Sequence, residues 1–384
     1  IGAATSKMLA KICSDFAKQQ IYSKLVSHLE QLQLPQVVYS AVRTSGEAAW
    51  ASPELARIPC HFRQVVGRRH RVLFRSKIRR VTRDLCTRID LRGVRVVHAH
   101  FLYSDGAVAL RLNESRGVPY VVAVRNTDLY VFMKYRPDLN GIRDRVLLRA
   151  SQIVFLSHAY RHELESRLHN SMRDRIAAKS IVIPNGVTRD WLEPPPRRDS
   201  DQSRLLRLLY VGDFSPNKNL RRLLDAAARV ASMRPVRLTL VGGGGDDGSL
   251  AGLIASGRFP FVTVRGRVAD PSVLREVYRQ HDVFVMPSLR ETFGVVYVEA
   301  LSQGLPVVHS RGQGVDGYFQ PGTVAEAVDP DDPADIAAKV KVLADRLPGV
   351  REACVREAAR FDWGRIAQSY AQLYEAAAAP EWSE

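Results

Sequence analysis

Two glutamates, Glu291 and Glu299, stand eight residues apart in the sequence E-T-F-G-V-V-Y-V-E and are the first candidates for ligand chemistry. A carboxylate accepts two hydrogen bonds at once, so it suits the neighbouring hydroxyl groups of a sugar or a ribose. At this spacing the two side chains could hold different parts of one long ligand. The alternative is that Glu291 is an ordinary surface-loop residue and Glu299 lies on the solvated side of a helix.

The residues around these glutamates predict a strand, a loop, a helix and a second strand. Residues 283–286 are a short apolar run rich in β-branched side chains, which is typical of a buried parallel strand. Pro287-Ser288 ends this strand, and the helix that holds Glu299 ends at Gly304-Leu305-Pro306. Residues 307–309 then predict the next strand. The start of the helix, after a glycine-containing loop, offers unpaired backbone N–H groups to a phosphate.

An earlier strand, loop and helix place a lysine in a comparable position. Residues 205–211 predict the strand, residues 212–219 (G-D-F-S-P-N-K-N) the loop, and a regular pattern of leucine and alanine the helix. Lys218 stands just before the helix, where its charge can compensate that of a diphosphate. The alternative is one more basic surface residue. The four glycines after the strand at 238–241 do not have the spacing of a phosphate-binding P-loop or a dinucleotide fold.

The first half of the chain offers polar residues at the ends of two predicted strands. Residues 94–101 predict a strand that ends in His98 and His100, and strand ends of an open α/β sheet border the ligand crevice. We expect His98 to face the sheet and His100 to be a site residue; the alternative for His100 is a structural histidine. The strand at 119–124 leads into Arg125-Asn126-Thr127-Asp128. Arg125 could grip an anionic ligand group with two hydrogen bonds, or it could pair with Asp128.

The stretch from Pro287 to Val307 reads P-S-x-x-E-T-F-G-x-x-x-x-E-A-x-S-x-G-x-P-V. It strongly resembles the nucleotide-sugar site of the retaining glycosyltransferases of family 4, which have the two-domain GT-B fold. The resemblance implies that Glu291 contacts the donor sugar and that Glu299 holds the ribose. It also implies that Thr292 and the backbone of Phe293-Gly294 lie near the sugar and the phosphate.

The same resemblance extends from about residue 94 to residue 374 and assigns further roles. It implies that Gly212 and Lys218 contact the donor diphosphate and that Arg267 lies beside the base. Where relatives often have an arginine after the glycine, this chain has Asp213, which cannot hold a phosphate. The expected catalytic residues are His100, Lys218 and Glu291.

For the acceptor side, the resemblance implies that the segment Arg125, Asn126 and Asp128 faces the acceptor. Arg125 stands where many relatives have a histidine. P-N-G-V at 184–187 and F-D-W at 361–363 also match patterns of this family.

The predicted fold is α/β of the GT-B type, with two Rossmann-like domains, each a doubly wound parallel sheet, facing a cleft. At 384 residues the chain exceeds the roughly 250–300 residues that a single core usually reaches. We expect a first domain at residues 1–192, a proline-rich linker at 193–204, a nucleotide-sugar-binding domain at 205–364 and a terminal helix at 365–384 that returns to the first domain. Residues 1–34 are predicted to be helical, without the strand and glycine-rich loop that precede the first helix in relatives.

The formal net charge of +16 is concentrated between Arg57 and Arg95. An anionic membrane surface and a merely solvated basic helix face are equally open explanations. Nucleic acid is disfavoured as a partner because no recognisable reader motif is present. The four scattered cysteines favour reduced thiols over disulfides or zinc. No apolar run approaches a membrane span and no signal peptide is visible, so we expect a cytoplasmic protein, peripheral at most on the inner face of the cell membrane.

The sequence therefore predicts a hexosyltransferase-type enzyme that moves a sugar, with retention of configuration, from a UDP- or GDP-linked donor to a saccharide or lipid-linked acceptor. No cofactor is expected, and no metal, because no D-x-D pair is placed to bind one. The expected role is cell-envelope, exopolysaccharide or glycolipid assembly. A non-catalytic, membrane-associated scaffold of the same fold is one alternative. A sugar-nucleotide epimerase is the other, and the E-T-F-G-x-x-x-x-E pattern argues against it.

Overall fold

The computed structural model describes residues 8–12, 20–41, 58–66, 73–195, 205–245 and 248–379. These ranges form two compact units. As far as it is described, unit 1 comprises Ile1–Leu156, Tyr160–Pro184 and Trp363–Glu384, and unit 2 comprises Ser157–Ala159 and Asn185–Asp362. Each unit is built on one parallel sheet, so the predicted α/β class is confirmed.

In the described part of unit 1, seven parallel strands lie in the order β3-β2-β1-β4-β5-β6-β7. Their bounds are β1 Met8–Ile12, β2 Gln36–Ala41, β3 Cys60–Arg63, β4 Val94–Ala99, β5 Tyr120–Val124, β6 Gln152–Phe155 and β7 Ser180–Val182. Every residue of β5 is buried, as expected for a central parallel strand that helices cover on both faces.

The helices of this first part of the chain follow the strands in alternation. They are α1 Gln20–Gln31, α2 Phe74–Arg88, α3 Ser104–Arg116, α4 Met133–Tyr135, α5 Asn140–Arg149, α6 His158–Ser166 and α7 Asn170–Ala177. A π-helical segment, Asp128–Phe132, runs directly into α4.

In the described part of unit 2, six parallel strands lie in the order β10-β9-β8-β11-β12-β13. Their bounds are β8 Leu206–Gly212, β9 Val236–Gly242, β10 Val262–Arg265, β11 Val283–Met286, β12 Val307–Ser310 and β13 Ala325–Val328. The helices between and after them are α8 Leu220–Ala231, α9 Ser249–Ala255, α10 Pro271–Arg279, α11 Val295–Ser302, α12 Pro333–Asp345 and α13 Leu347–Ala358. Short 3-10 turns lie at Leu91–Gly93, Pro137–Leu139, Arg189–Leu192, Pro216–Lys218 and Ala359–Phe361.

The last helix, α14 Trp363–Ala378, belongs to unit 1 although it follows unit 2 in the chain. Together with α1 it covers one face of the first sheet, and the predicted return of the terminal helix to the first domain is confirmed. The residues that form this cluster include Leu25, Leu29, Val96, Val121, Ala123, Val154, Trp363, Ile366, Tyr370, Leu373 and Tyr374.

The prediction of one helix over residues 1–34 is wrong in the part that is described. Met8–Ile12 is a strand that pairs with both β2 and β4, and α1 begins only at Gln20. Leucine, alanine and lysine are good helix formers, but pairing with two neighbouring strands outweighs this local preference. Residues 1–7 and 13–19, where a glycine-rich loop would be sought, lie outside the described residues.

The division into units differs from the predicted domain bounds. It passes between Pro184 and Asn185, before the predicted boundary after residue 192. Trp191 is joined to unit 2, since its ring contacts that of Tyr278 edge-on at 5.6 Å and its carbonyl accepts a 2.9 Å hydrogen bond from Gln303. Most of the predicted linker, residues 196–204, lies outside the described residues.

None of the helices in the described ranges is long and apolar enough to cross a membrane. Cys86 and Cys354 are free thiols.

We expect Trp363→Ala to lower the free energy of unfolding by about 3–5 kcal/mol, because the buried indole leaves a cavity between α14 and the sheet. Urea denaturation followed by circular dichroism measures this. Met233→Ala is the control, because Met233 is exposed, and it should cost less than about 0.5 kcal/mol. Equal unfolding midpoints for the two variants would contradict the packing described for α14.

Candidate functional site

Two loops of unit 2 leave adjacent strands at the point where the strand order reverses. β8 and β11 are neighbours in the sheet, but the chain continues from β8 towards β9 on one side and from β11 towards β12 on the other. In open α/β sheets, ligands bind beyond the carboxyl ends of the strands at such a reversal. The loop after β8 carries Lys218, and the loop after β11 carries Glu291.

Lys218 and Glu291 form an ion pair. Lys218 Nζ donates to Glu291 Oε2 over 2.7 Å, and the two side chains are only 16% and 13% exposed. Removing both charges from water is costly, so such a pair persists where further hydrogen bonds support it. The N–H of Thr292 supplies one, to Glu291 Oε1 at 3.1 Å. The pair offers a cation suited to phosphate beside a carboxylate suited to hydroxyl groups.

Two asparagines fix the lysine loop to the loop after β11. Asn217 Nδ2 donates to the carbonyl of Arg290 over 2.8 Å. Asn219 has a left-handed backbone with φ of +59°, and its Nδ2 donates to the carbonyl of Pro287 at 3.0 Å. Sequence analysis did not single out either residue, although asparagine tolerates this backbone conformation better than most residues do.

The backbone of Glu291 is held by the turn after β12. Gln313 Oε1 accepts a 3.1 Å hydrogen bond from the N–H of Glu291, and the N–H of Gly314 donates to the Glu291 carbonyl over 2.9 Å. Gly294 and Gly314 both have positive φ, and a Cβ at either would lie about 3 Å from Glu291 Cγ. The glutamate side chain is therefore enclosed by two positions that accept glycine alone.

Glu299 lies in the second turn of α11, the helix that begins after Gly294. The hydroxyl of Tyr278 donates to Glu299 Oε2 over 3.0 Å. Burial raises the pKa of the Glu299 carboxyl to about 7, although the hydrogen bond from Tyr278 acts in the opposite direction. Tyr278 is fully buried and was not predicted, because its position on α10 gives no local sign of this contact.

The other predicted donor residues lie at strand ends without direct bonds to the ion pair. Gly212 ends β8, where a Cβ would come within 2.7 Å of the Tyr210 hydroxyl. Asp213 is exposed and opens the lysine loop as a turn residue, because its Oδ1 accepts the N–H of Ser215 at 3.0 Å. Partial burial opposes ionisation of Asp213, but the hydrogen bonds from Ser215 and the charge of Lys218 hold its pKa below the usual value. Arg267 is exposed beyond the end of β10.

In unit 1, both histidines of the strand-end pattern are fully buried. The rings of His98 and His100 stack with their centroids 4.0 Å apart. His98 Nδ1 and the hydroxyl oxygen of Tyr374 on α14 are hydrogen bonded at 2.7 Å. Both rings are buried in the free protein, and the role of His100 as a site residue stays a prediction.

Asp128 is also fully buried, and its carboxylate binds backbone N–H groups. Its carboxylate accepts hydrogen bonds from the N–H groups of Leu102, Tyr103 and Arg125 over 2.9–3.3 Å. Burial raises the pKa of Asp128 to about 6 despite these N–H groups, which lower it. The Arg125 side chain donates to the carbonyl of His100 at 3.4 Å and hydrogen bonds the hydroxyl of Tyr370.

Of the three acceptor-side candidates, only Asn126 is exposed; Arg125 and Asp128 are both buried. The Asp128 carboxylate bonds the N–H of Arg125, and the charge of Arg125 helps to lower the pKa of Asp128. The Arg125 side chain also donates to the carbonyl of His100. Both predicted roles of Arg125 stay predictions.

Sequence profiles match both halves of the chain. A profile described as "Glycosyltransferase Family 4" matches residues 25–191, and one described as "Glycosyl transferases group 1" matches residues 206–346. The D-inositol 3-phosphate glycosyltransferase 2 of Catenulispora acidiphila is 31% identical over 306 residues, which cover 73% of this chain and 70% of that protein. The chain belongs to glycosyltransferase family 4. The alignments with the first curated relatives span 66–70% of those relatives' own length.

Solved structures of glycosyltransferases have the same fold as this family member. Sucrose-phosphate synthase from Thermosynechococcus elongatus matches with a TM-score of 0.73 at 20% identity, over 96% of this chain and 98% of the other. The Anabaena protein HepE, in complex with UDP-glucose, matches with a TM-score of 0.68 at 16% identity, over 96% and 99%. The predicted GT-B fold is confirmed by these similarities. Within the described ranges, no group of three or more His, Cys, Asp or Glu side chains is placed to hold a metal ion.

We expect Glu299→Gln to stabilise the glycosyltransferase at about pH 8 and to leave its stability unchanged near pH 4. The folded carboxyl has a pKa of about 7 against 4.5 when unfolded, so folding is penalised progressively as pH rises between these values and fully above them. After allowance for partial exposure, the gain at pH 8 is on the order of 2 kcal/mol.

Urea unfolding at both pH values measures this effect, with the same substitution at exposed Glu276 on α10 as the control. Glu276→Gln should change the free energy of unfolding by less than about 0.5 kcal/mol at either pH. A Glu299→Gln variant that is no more stable than the parent at pH 8 would refute the assigned burial of this carboxyl.

Proposed function

We propose that this family member transfers a hexose from a nucleotide-sugar donor to a saccharide or lipid-linked acceptor with retention of anomeric configuration. The observation that carries the proposal is the Lys218–Glu291 ion pair at the strand-order reversal of unit 2, with Glu299 on the helix that follows. Family membership and the UDP-glucose complex of the similarly folded HepE support a nucleotide-sugar donor. We propose UDP- or GDP-linked sugars and no further cofactor.

In this proposal, different residues of unit 2 bind different parts of the donor. Glu291, with Thr292 and the backbone of Phe293-Gly294, binds the sugar. Lys218 leaves its ion pair for the diphosphate, near Gly212, and Glu299 accepts hydrogen bonds from the ribose hydroxyls. Arg267 lies beside the base. As the nucleoside diphosphate departs, negative charge grows on its phosphate, and Lys218 together with the N–H groups at the starts of α8 and α11 stabilises that charge.

For the acceptor side, we propose fewer direct contacts than the sequence alone suggested. Asn126 is exposed and remains a candidate for direct contact with the acceptor. Arg125 and Asp128 are buried, so we propose that they shape the segment that carries Asn126 instead of binding acceptor themselves. His100 is proposed as a site residue only through its carbonyl and its stacking on His98, which position Arg125.

The proposed role is cell-envelope, exopolysaccharide or glycolipid assembly, in the cytoplasm or at the inner face of the membrane. A non-catalytic scaffold stays the alternative, because Asp213 stands where a phosphate-binding arginine would be expected. A sugar-nucleotide epimerase is the second enzymatic alternative. The Lys218–Glu291 pair and the enclosing glycines favour an intact donor site over the scaffold.

Calorimetric titration with UDP, GDP, ADP and TDP should show binding of one nucleotide, and Glu299→Ala should weaken it by about 100-fold. The loss follows from removing charge-assisted hydrogen bonds to the ribose. Glu276→Ala is the control and should bind as the parent does. No binding of any of the four nucleotides would move the scaffold alternative ahead.

With the sugar nucleotide that binds, Lys218→Ala should lower kcat/KM by about 100-fold or more, because a group that stabilises the departing phosphate is lost. Release of nucleoside diphosphate under steady-state conditions measures this. Lys339→Ala is a matched control, since Lys339 makes a 2.9 Å ion pair with Glu326 in the same unit but between α12 and β13. Variants Lys218→Ala and Glu291→Ala that turn over as fast as the parent would end the residue assignments.

A further inference from the structure

Helix α2 carries a row of exposed arginines. Arg75, Arg79 and Arg83 recur at every fourth residue and so lie along one side of the helix, with Arg80 beside them. Within the described ranges, none of these four guanidinium groups has an acidic partner. Like charges four residues apart destabilise a helix by a few tenths of a kcal/mol per pair, so the row is a cost to folding that no acidic side chain within these ranges offsets.

Arginines of three helices, α2, α3 and α5, line the same groove. Arg75 and Arg79 border a groove of about 430 Å³ whose opposite side carries Arg111 of α3 and Arg145 of α5. Its floor is apolar and is formed by Ile78, Ala107, Leu110 and Ile142.

Among the described residues at this surface, the acidic side chains of Glu114 and Asp84 are already engaged. Glu114 pairs with Arg145. Asp84, beside Arg80 and Arg83, accepts a 2.7 Å hydrogen bond from the Tyr39 hydroxyl and lies 3.7 Å from Arg63. A concentrated positive charge therefore faces outwards here.

Large apolar side chains stand exposed next to these arginines. Leu73, just before α2, is 53% exposed, and Val131 and Tyr135 are 48% and 64% exposed. The two segments are neighbours, because the rings of Phe74 and Phe132 contact edge-on at 6.3 Å. Val131 and Tyr135 are four residues apart in the helical segment that ends with α4, so they project on one side.

We propose that this basic-apolar face, formed by Arg75, Arg79, Arg80, Arg83, Arg111, Leu73, Val131 and Tyr135, docks on an anionic phospholipid surface. Lipid phosphates match the guanidinium groups in charge and in hydrogen-bonding geometry. The exposed leucine, valine and tyrosine then enter the headgroup layer, where burial of apolar area adds to the electrostatic attraction. Nucleic acid would satisfy the arginines equally well, but it would leave the two aliphatic side chains without an apolar partner.

Co-sedimentation of the full chain with vesicles tests this proposal. We expect binding to vesicles of phosphatidylglycerol and phosphatidylcholine at about 0.15 M KCl, and loss of most binding at about 1 M KCl or to phosphatidylcholine alone. Arg79→Gln/Arg83→Gln should lower the partition coefficient about 30-fold. Leu73→Ser/Tyr135→Ser should lower it by at least about tenfold, including at the lower salt concentration.

The matched control is Arg229→Gln/Arg237→Gln, which removes the same charge from two exposed arginines of unit 2. It should bind vesicles as the parent does, and circular dichroism should show all variants folded. Equal losses in this control would mean that net charge alone acts, and binding that ignores lipid charge would also overturn the proposal. So would binding of a short duplex RNA, but not of vesicles, through Arg79 and Arg83. Nucleotide binding by unit 2 should be the same in every variant, which separates this test from that of the proposed function.

Discussion

The ion pair between Lys218 and Glu291 joins the two loops that diverge where the strand order of unit 2 reverses. An ion pair that is this shielded from water contributes little net free energy to folding, because the cost of desolvating both groups offsets most of their electrostatic attraction. Its geometry is nevertheless closely determined: asparagines hold the lysine loop, Gln313 and Gly314 hold the glutamate backbone, and glycines enclose the glutamate side chain. In the proposed function, this support would keep the site pre-organised, and the phosphate of the donor would replace Glu291 as the partner of Lys218.

Glu299 shows the energetic consequence of placing a carboxylate in a largely apolar surrounding. Its pKa near 7 means that the ionised form, which is the better acceptor for hydroxyl groups, destabilises the free protein. The hydrogen bond from Tyr278 reduces this penalty without removing it. In the proposed function, a bound ribose would donate further hydrogen bonds to this carboxylate and so offset part of the penalty in the complex.

Unit 1 holds residues of the same kinds in an internal network of hydrogen bonds. Asp128 accepts hydrogen bonds from three backbone N–H groups, and His98 is hydrogen bonded to Tyr374. The Arg125 side chain is hydrogen bonded to the carbonyl of His100 and to the hydroxyl of Tyr370. Two of these partners come from α14, the last helix of the chain, so the strand ends of unit 1 are complete only after the whole chain has been made. These polar residues form an internal network that links β4, β5 and the terminal helix.

Elements that depend on neighbouring residues alone could be predicted from the sequence. The strand at Val283–Met286, the loop with Glu291, the helix with Glu299 and its Gly-then-Pro end all follow from periodicity and turn chemistry within about twenty residues. Other features depend on residues that are distant in the chain and could not be predicted. These are β1 as a strand instead of part of a helix, the contact of Tyr278 with Glu299, and the burial of His100, Arg125 and Asp128. Their local sequences allow more than one outcome, and the choice is made by strand pairing and by burial against residues up to 276 positions away, as between His98 and Tyr374. Differences in local helix and strand propensity amount to a fraction of a kcal/mol per residue. They are smaller than the free energies that packing and hydrogen bonds contribute, so the tertiary contacts determine the outcome.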